Sequence, residues 1–309
     1  MNQSNQLADR IYGLCRAIRK QRPLIHVVTN FVVMNQTANA LLALGASPTM
    51  SWAEEDLDYL SGISDGLCIN MGTPTRERVD AMAHLMALAE DSGKPMVLDP
   101  VGAGAGPHRT GIASRLAALG SRKIIRGNAA EICTLMAQGP GPRGVDNTMD
   151  WAAAKEILLT HGRAGEKNRV PDLIGPKSQM AELFASRAAA LLVTGAEDMI
   201  MDKDQCVTLM NGSFLMAAVT GTGCILSAVT AAFYAVCPDP FEAAVAAAAA
   251  TGIAGELAGE KASGPGTFLS HFMDALYALD RETLRERLHF ISTDPLSSEC
   301  IKEPTHGTD

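Results

Sequence analysis

The segment 219–224, Val-Thr-Gly-Thr-Gly-Cys, carries the strongest chemical signal in this sequence. Its two glycines, Gly221 and Gly223, precede an apolar run that predicts a buried helix, and glycine lets a backbone approach a ligand closely. The first amides of a helix have no partner inside it and lie at the positive end of its dipole, so they attract anions such as phosphate. We therefore predict an anion hole formed by Gly221, Thr222, Gly223 and Cys224. The same small residues also suit a tight turn with no ligand.

Three charged residues at or after the ends of apolar runs suggest a phosphate and metal site. Asp99 could bind Mg²⁺ or its waters, or cap a turn. Arg126 could hold a phosphate. Glu131 could orient a metal ion through water, but together with Asn128 it also fits a helix capping box.

Three uncharged residues lie in similar positions. The hydroxyl group of Thr194 could bind a nucleotide phosphate or sugar, and the amide of Asn30 could bind a heteroatom of a substrate. The side chain of Met50 could pack on a flat ring. Taken alone, a residue of this kind is more often part of an ordinary turn or of the core.

Two familiar nucleotide motifs are excluded. The segment Asp99-Pro-Val-Gly-Ala-Gly resembles a dinucleotide-binding turn, but Pro107 stands where the third glycine would be needed. The P-loop pattern, in which Gly-Lys-Ser or Gly-Lys-Thr follows a glycine-rich loop, does not occur in the sequence.

Composition limits the class of protein. The chain has 309 residues, 47% of them hydrophobic, a net charge of −8 and no basic block, so we expect a globular fold and no nucleic-acid partner. The seven cysteines show no metal-ligand spacing and fit a reducing cytoplasm. The N-terminal segment predicts an amphipathic helix rather than a signal peptide, and the alanine-rich run Ala243–Gly255 is too short to cross a membrane. We therefore expect a cytoplasmic protein with no membrane partner.

The order of elements predicts an α/β fold with a mostly parallel sheet. Short apolar runs that read as strands alternate with longer helical patterns, which favours buried strands joined by helical crossovers. The predicted strands are Leu24–Thr29, Gly66–Asn70, Pro95–Asp99, Lys123–Arg126, Ala190–Thr194 and Met199–Asp202. The predicted helices are Met34–Leu44, Thr75–Asp91, Asn128–Ala137, Met149–Thr160, Gln179–Ala189, Cys224–Val236, Pro240–Glu260 and Phe268–Leu279.

The chain is predicted to form one domain over residues 1–292. The polar segment 161–178, rich in glycine and proline, is interpreted as a surface insertion. Residues 293–309 contain few apolar side chains and are predicted to form a mobile tail.

Eight short segments together resemble one enzyme family. In chain order they are VTN, GASPTM, NMGT, LDPVGAGA, IIRGNAAEI, VTG, VTGTGC and GPGTF. Their order from about Ile11 to about Leu279 resembles the hydroxyethylthiazole kinase family of the ribokinase-like superfamily. The resemblance implies a three-layer α/β/α sandwich and a homotrimer with active sites near subunit interfaces. It also implies an ATP- and Mg²⁺-dependent enzyme that phosphorylates the primary hydroxyl of 4-methyl-5-(2-hydroxyethyl)thiazole for thiamine biosynthesis.

The resemblance also implies binding roles for individual residues. Met50 and Gly221 would contact the thiazole, and Asn30 would lie in the same substrate pocket. Arg126 and Thr194 would contact ATP.

The reacting groups would be assembled from three further positions. Asp99 and Glu131 would lie near the magnesium ion and the phosphates, either directly or through water. Cys224 would be the catalytic residue, because it stands where the wider superfamily usually has an aspartate base. We interpret it as a modest base or a positioning group.

Two rival interpretations remain open from the sequence. The protein could be another ribokinase-like kinase that acts on hydroxymethylpyrimidine or pyridoxal, although Gly-Thr-Gly-Cys and GASPTM favour the thiazole family. It could also be a thiazole- or nucleotide-binding regulator without catalysis, since a cysteine at the base position can mark a degraded site. The segment 161–178 departs from the family pattern and could affect nucleotide affinity or assembly.

Overall fold

One sheet forms the centre of the protein. A computed structural model describes residues 3–137 and 188–293, and within these ranges nine strands pair in the order β2-β1-β3-β4-β5-β6-β7-β8-β9. The strands from β2 to β6 are parallel, and β7, β8 and β9 each pair antiparallel with the preceding strand of that order. The strands are Leu24–Val28 (β1), Ser47–Thr49 (β2), Gly66–Asn70 (β3), Met96–Asp99 (β4), Lys123–Asn128 (β5), Ala190–Thr194 (β6), Asp198–Met201 (β7), Cys206–Leu209 (β8) and Phe290–Thr293 (β9).

Helices cover both faces of this sheet. Those of the first half are Gln3–Gln21 (α1), Met34–Leu44 (α2), Glu54–Ile63 (α3), Arg76–Asp91 (α4), Pro107–Ala117 (α5) and Ala129–Ala137 (α6). Those of the second half are Thr222–Val236 (α7), Pro240–Lys261 (α8), Pro265–Ala278 (α9) and Arg281–Arg287 (α10), preceded by the short 3-10 helix Phe214–Ala218.

Two hydrophobic cores lie on opposite faces of the sheet. Successive side chains of a strand point to opposite faces, and β3 places Cys68 in one core and Leu67 and Ile69 in the other. The first core is closed by α1, α2 and α7–α10, and the second by α3–α6. The predicted three-layer α/β/α sandwich is therefore confirmed.

The alanine-rich helix α8 belongs to the first core. Within the described residues it is the one helix long and apolar enough to cross a bilayer by length and composition, and 83% of its most apolar window is buried inside the protein. Alanine permits close helix packing, and α8 packs against both α7 and α9. This is the buried, close-packed helix that the sequence favours over a membrane span.

Most predicted elements that lie within the described residues agree with the structure to within one or two residues, and the helix predicted over Phe268–Leu279 differs by three at its start. The strand predicted as Met199–Asp202 is Asp198–Met201, and the helix predicted over Phe268–Leu279 begins earlier, at Pro265. Strand β9 continues to Thr293, so the predicted tail overlaps the last strand residue. The predicted helix Met149–Thr160, nearly all of Gln179–Ala189, the insertion 161–178 and the rest of the tail lie outside the described residues.

Candidate active site

The polar residues predicted from the sequence meet at one edge of the sheet. Parallel strands end at the same edge, and ligands bind there in open α/β sheets. The strand registers pair Asn70 with Asp99 and Asn128 with Thr194, while Asn30 follows β1. The beginning of α7 lies at the same edge, because Ser227 of this helix donates to Asp99.

Asp99 lies at the centre of this edge and is fully buried. Its Oδ2 atom accepts hydrogen bonds from Asn70 Nδ2 (2.7 Å) and Ser227 Oγ (2.7 Å), and Arg126 Nη1 lies 3.5 Å away. Its Oδ1 atom has no hydrogen-bond partner among the residues that the structure describes. Burial raises the pKa of Asp99, whereas the nearby Arg126 charge and the hydrogen bonds from Ser227 and Asn70 lower it.

Arg126 links the carboxylate to the end of β6. Its Nη2 donates to Thr194 Oγ1 at 2.7 Å, so the two residues predicted to contact ATP touch each other. The guanidinium also lies against the start of α7, because a Cβ atom at Gly223 would be 2.5 Å from Nη2. Only glycine leaves room for Arg126 in this position.

The start of α7 has the geometry that an anion hole requires. Gly221 has a φ of +94° and precedes the first helical residue, Thr222. A side chain at Gly221 would also meet Val33, whose Cγ1 would lie 2.5 Å from its Cβ. The helix leaves the amides of Thr222, Gly223 and Cys224 without intrahelical partners. The binding of an anion by these amides remains a prediction.

Cys224 is half-buried and contacts Asn30, whose Nδ2 lies 3.4 Å from its sulfur. Burial raises the pKa of the Cys224 thiol to about 11, and the nearby Asp99 charge acts in the same direction. The charge of Arg126 and the hydrogen bonds from Asn70 and Asn30 lower this pKa but do not overcome the two effects that raise it. The thiol is therefore neutral near pH 7, which disfavours a preformed thiolate base and favours the positioning role.

Glu131 forms the capping box that its spacing with Asn128 allows. Its Oε2 accepts a hydrogen bond from the backbone N–H of Asn128, at 2.9 Å. In return, Oδ1 of Asn128 accepts one from the backbone N–H of Glu131, also at 2.9 Å. Its Oε1 accepts from the Gly102 amide at 2.7 Å, which ties the loop after β4 to α6. Burial, followed by the charge of Asp99, raises the pKa of Glu131 to about 7.

The chemistry of this edge fits a magnesium ion held mainly by other ligands. Among the described residues no group of three or more His, Cys, Asp or Glu side chains could hold a metal ion. Mg²⁺ is commonly bound through one or two carboxylates together with waters and substrate phosphates. Oδ1 of Asp99 is the orphaned atom that such an ion would satisfy, whereas both oxygens of Glu131 already accept backbone hydrogen bonds.

Met50 follows the edge strand β2 and is partly buried against the first core. Two residues further along the chain, Trp52 takes part in a cation–π cluster. The buried guanidinium of Arg78 lies 4.5 Å from the ring centre of Phe31 and 4.8 Å from that of Trp52, and it donates to Thr73. These contacts hold the loops after β1, β2 and β3 together, although contact of Met50 with a thiazole remains a prediction.

Sequence reasoning missed two residues of the site, Asn70 and Ser227. Asn70 is a polar residue at the end of an apolar strand, which is the signal that singled out Asp99. Ser227 lies one helical turn after Gly223 and carries no distinguishing signal in the sequence.

The fold is that of the ribokinase-like class of kinases. The family model of the hydroxyethylthiazole kinases matches residues 15–170 and 173–282. The chain belongs to the hydroxyethylthiazole kinase family.

Individual relatives agree with this assignment. The chain is 43% identical to the hydroxyethylthiazole kinase of Granulibacter bethesdensis, over 92% of this chain and 96% of that protein. It is 42% identical to that of Pyrococcus furiosus, over 88% and 93% of the two chains. The solved hydroxyethylthiazole kinase of Pyrococcus horikoshii OT3 has a TM-score of 0.78 at 34% identity and covers 93% of this chain and all of its own. The pyridoxal kinase of Staphylococcus aureus has a TM-score of 0.56 at 16% identity, over 88% of this chain and 98% of its own, and shares the fold.

Proposed function

We propose that this protein transfers the γ-phosphoryl group of ATP to the primary hydroxyl of 4-methyl-5-(2-hydroxyethyl)thiazole, giving the phosphate ester used in thiamine biosynthesis. The observation that carries the proposal is the meeting of Asp99, Arg126, Thr194 and the α7 amides at one sheet edge. Relatives about 40% identical over most of the chain bear the name of this activity.

The reaction asks mainly for alignment and for stabilisation of charge. The hydroxyl oxygen bonds to the γ-phosphorus while the bond to the β,γ-bridging oxygen breaks, so ADP leaves with that electron pair. The amides of Thr222, Gly223 and Cys224 would donate to the oxygens of the transferring group, and Arg126 would neutralise the polyphosphate. When bound, Mg²⁺ would supply further positive charge to the phosphates. Asp99 would hold it through Oδ1.

Cys224 is proposed to position the hydroxyl rather than to deprotonate it in advance. Its neutral thiol can accept a weak hydrogen bond from the alcohol at the mouth of the anion hole. In a loose transition state the hydroxyl proton can leave late, when the oxygen has become more acidic, and pass to an oxygen of the transferred phosphoryl group, so a strong base is not required. Such an arrangement predicts a slow enzyme compared with relatives that carry an aspartate at this position.

The decisive experiment measures ADP release with Mg-ATP and one alcohol at a time: hydroxyethylthiazole, hydroxymethylpyrimidine or pyridoxal. ADP release with hydroxyethylthiazole alone, together with a phosphorylated product by mass spectrometry, is the expected result. Release with another alcohol would keep the phosphate site and reassign the substrate. Tight thiazole binding without ADP release would favour the alternative that the protein is a thiazole- or nucleotide-binding regulator without catalysis.

Replacing Arg126 with alanine should raise the KM for ATP by about 10- to 100-fold and leave the KM for the thiazole within about threefold, because the charge faces the polyphosphate. Gly223→Ala is a matched variant, since its Cβ would displace the same guanidinium. Both variants should shift the KM for ATP in the same direction. Steady-state kinetics with either substrate varied would measure this, and an unchanged KM for ATP in Arg126→Ala would remove that residue from the nucleotide site.

We further propose that the protein is a cytoplasmic homotrimer, as the family resemblance implies. The exposed side chains of Phe31 and Val32, which follow the site residue Asn30, support an interface near the active site. Sedimentation velocity would measure the mass of the assembly directly.

A further inference from the structure

The NMGT segment, residues 70–73, contains a buried asparagine, Asn70, to which the proposed reaction assigns no role. Asn70 is fully buried at the end of β3, between two site residues that are far apart in the sequence. Its Nδ2 donates to Asp99 Oδ2 at 2.7 Å. Its Oδ1 accepts from Asn30 Nδ2 at 3.0 Å and from the Gly72 amide at 3.1 Å.

These hydrogen bonds permit only one orientation of the Asn70 amide. The Gly72 N–H can only donate, so it requires the oxygen of Asn70 on its side. The carboxylate of Asp99 can accept, so it requires the NH2 group on the other side. If the amide were flipped, its oxygen would face the carboxylate of Asp99, and its NH2 group would face the N–H groups of Asn30 and Gly72. All three hydrogen bonds would then be lost.

The fixed amide of Asn70 in turn fixes Asn30. Asn30 Oδ1 accepts from the Val32 amide at 3.1 Å, so its Nδ2 must face Asn70 and the sulfur of Cys224. The sulfur therefore receives a hydrogen-bond donor from this side, and its lone pair is oriented by a side chain that Asn70 holds. On the other side, Asn70 and Ser227 occupy Oδ2 of Asp99, and Oδ1 has no partner within residues 3–137 and 188–293.

We propose that Asn70 is a positioning residue for phosphoryl transfer, which aligns the free oxygen of Asp99 and the sulfur of Cys224 through one amide group. Asn70 need not touch either substrate. Loss of such an outer partner typically costs about 10- to 100-fold in activity. This inference rests on the proposed kinase function.

The test is a pair of double-mutant cycles with kcat as the readout. Asn70→Ala should lower kcat by about 10- to 100-fold, with both KM values within about threefold of the wild type. Asn70 hydrogen-bonds Cys224 itself and also fixes Asn30 against the sulfur, so its loss should matter at least about threefold less, without vanishing, when Asn30 is already alanine. Ser227→Ala and Asn30→Ala share no hydrogen bond, so their effects on kcat should multiply. Asn39→Ala, an exposed asparagine on α2, is the control and should keep wild-type kcat.

A second readout needs neither ATP nor an alcohol. The rate at which iodoacetamide alkylates Cys224, followed by peptide mass spectrometry, should fall at least about threefold in Asn70→Ala and Asn30→Ala, because both remove or loosen the donor to sulfur. Ser227→Ala should stay within about twofold of the wild type, since its hydroxyl donates to Asp99 and to the Gly223 carbonyl rather than to Asn30 or the sulfur. If the wild-type protein does not turn over the thiazole, the proposed function fails while this comparison still tests the positioning role.

Three results would overturn the inference. They are a kcat of Asn70→Ala within threefold of the wild type, effects of Asn70 and Asn30 that simply multiply, and an alkylation rate that is unchanged or faster. If Asn70→Ala does not fold, Asn70→Asp keeps the side-chain shape. It places an acceptor or a shared proton against Asp99, and so should show the same loss of kcat and the same slower alkylation.

Discussion

The Asp99→Asn variant should lose about two to three orders of magnitude in kcat while remaining folded. The substitution keeps the side-chain shape but removes the one buried carboxylate whose Oδ1 has no partner among the described residues. Removal of a single group that stabilises transition-state charge costs about 10²–10³ in other enzymes. Stopped assays of ADP release at saturating ATP and thiazole would measure the change.

The matched control is Asp58→Asn, which removes a carboxylate from the exposed surface of α3. It should keep kcat within about twofold, since surface substitutions away from special features have small effects. Thermal melting of both variants would separate lost chemistry from lost structure. A kcat for Asp99→Asn within threefold of the wild type would mean that the carboxylate does not support the transfer step.

Opposite effects are expected from two substitutions of Cys224. Cys224→Ala should lower kcat by about tenfold or more, because it removes the group that positions the hydroxyl and a misplaced reacting atom can cost about 10²-fold. Cys224→Asp should keep or raise kcat, because it places a carboxylate at the mouth of the anion hole. Burial and the charge of Asp99 should raise the pKa of this new carboxylate, so its activity should increase with pH through the neutral range.

Parallel kcat–pH profiles of the wild type and the two variants would measure these effects. Cys15→Ala is a suitable control, because Cys15 is buried in the first core on α1, a helix that contributes none of the residues named in the site. A Cys224→Ala enzyme with wild-type kcat would refute both the base and the positioning role. A Cys224→Asp enzyme that is inactive at every pH would show that the site cannot use a carboxylate there.

The sequence was sufficient to predict a parallel sheet covered by helices because strands buried on both faces are continuous apolar runs. Strands such as Gly66–Asn70 and Ala190–Thr194 are apolar throughout because helices cover both faces of the sheet. The antiparallel edge strand β9 was not predicted. Its few residues carry no pattern of their own, and it forms by pairing with β8.

Local chemistry also indicated part of the site. Gly221 and Gly223 were singled out because of their spacing, and the structure shows that one adopts a positive φ and the other makes room for Arg126. The spacing of Asn128 and Glu131 predicted a capping box as one of two alternatives, and the hydrogen bonds form that box.

What the sequence by itself determined is therefore the family, the sandwich and the set of polar residues at the strand ends. The tertiary structure decided how these residues act on one another. Asn70 belongs to the site because β3 and β4 pair in a register that places it beside Asp99. The pKa of Cys224 rises because burial removes water from a thiol whose helix position alone would lower it. Both outcomes depend on contacts between residues distant in the sequence and on the exclusion of water, neither of which leaves a local pattern in the chain.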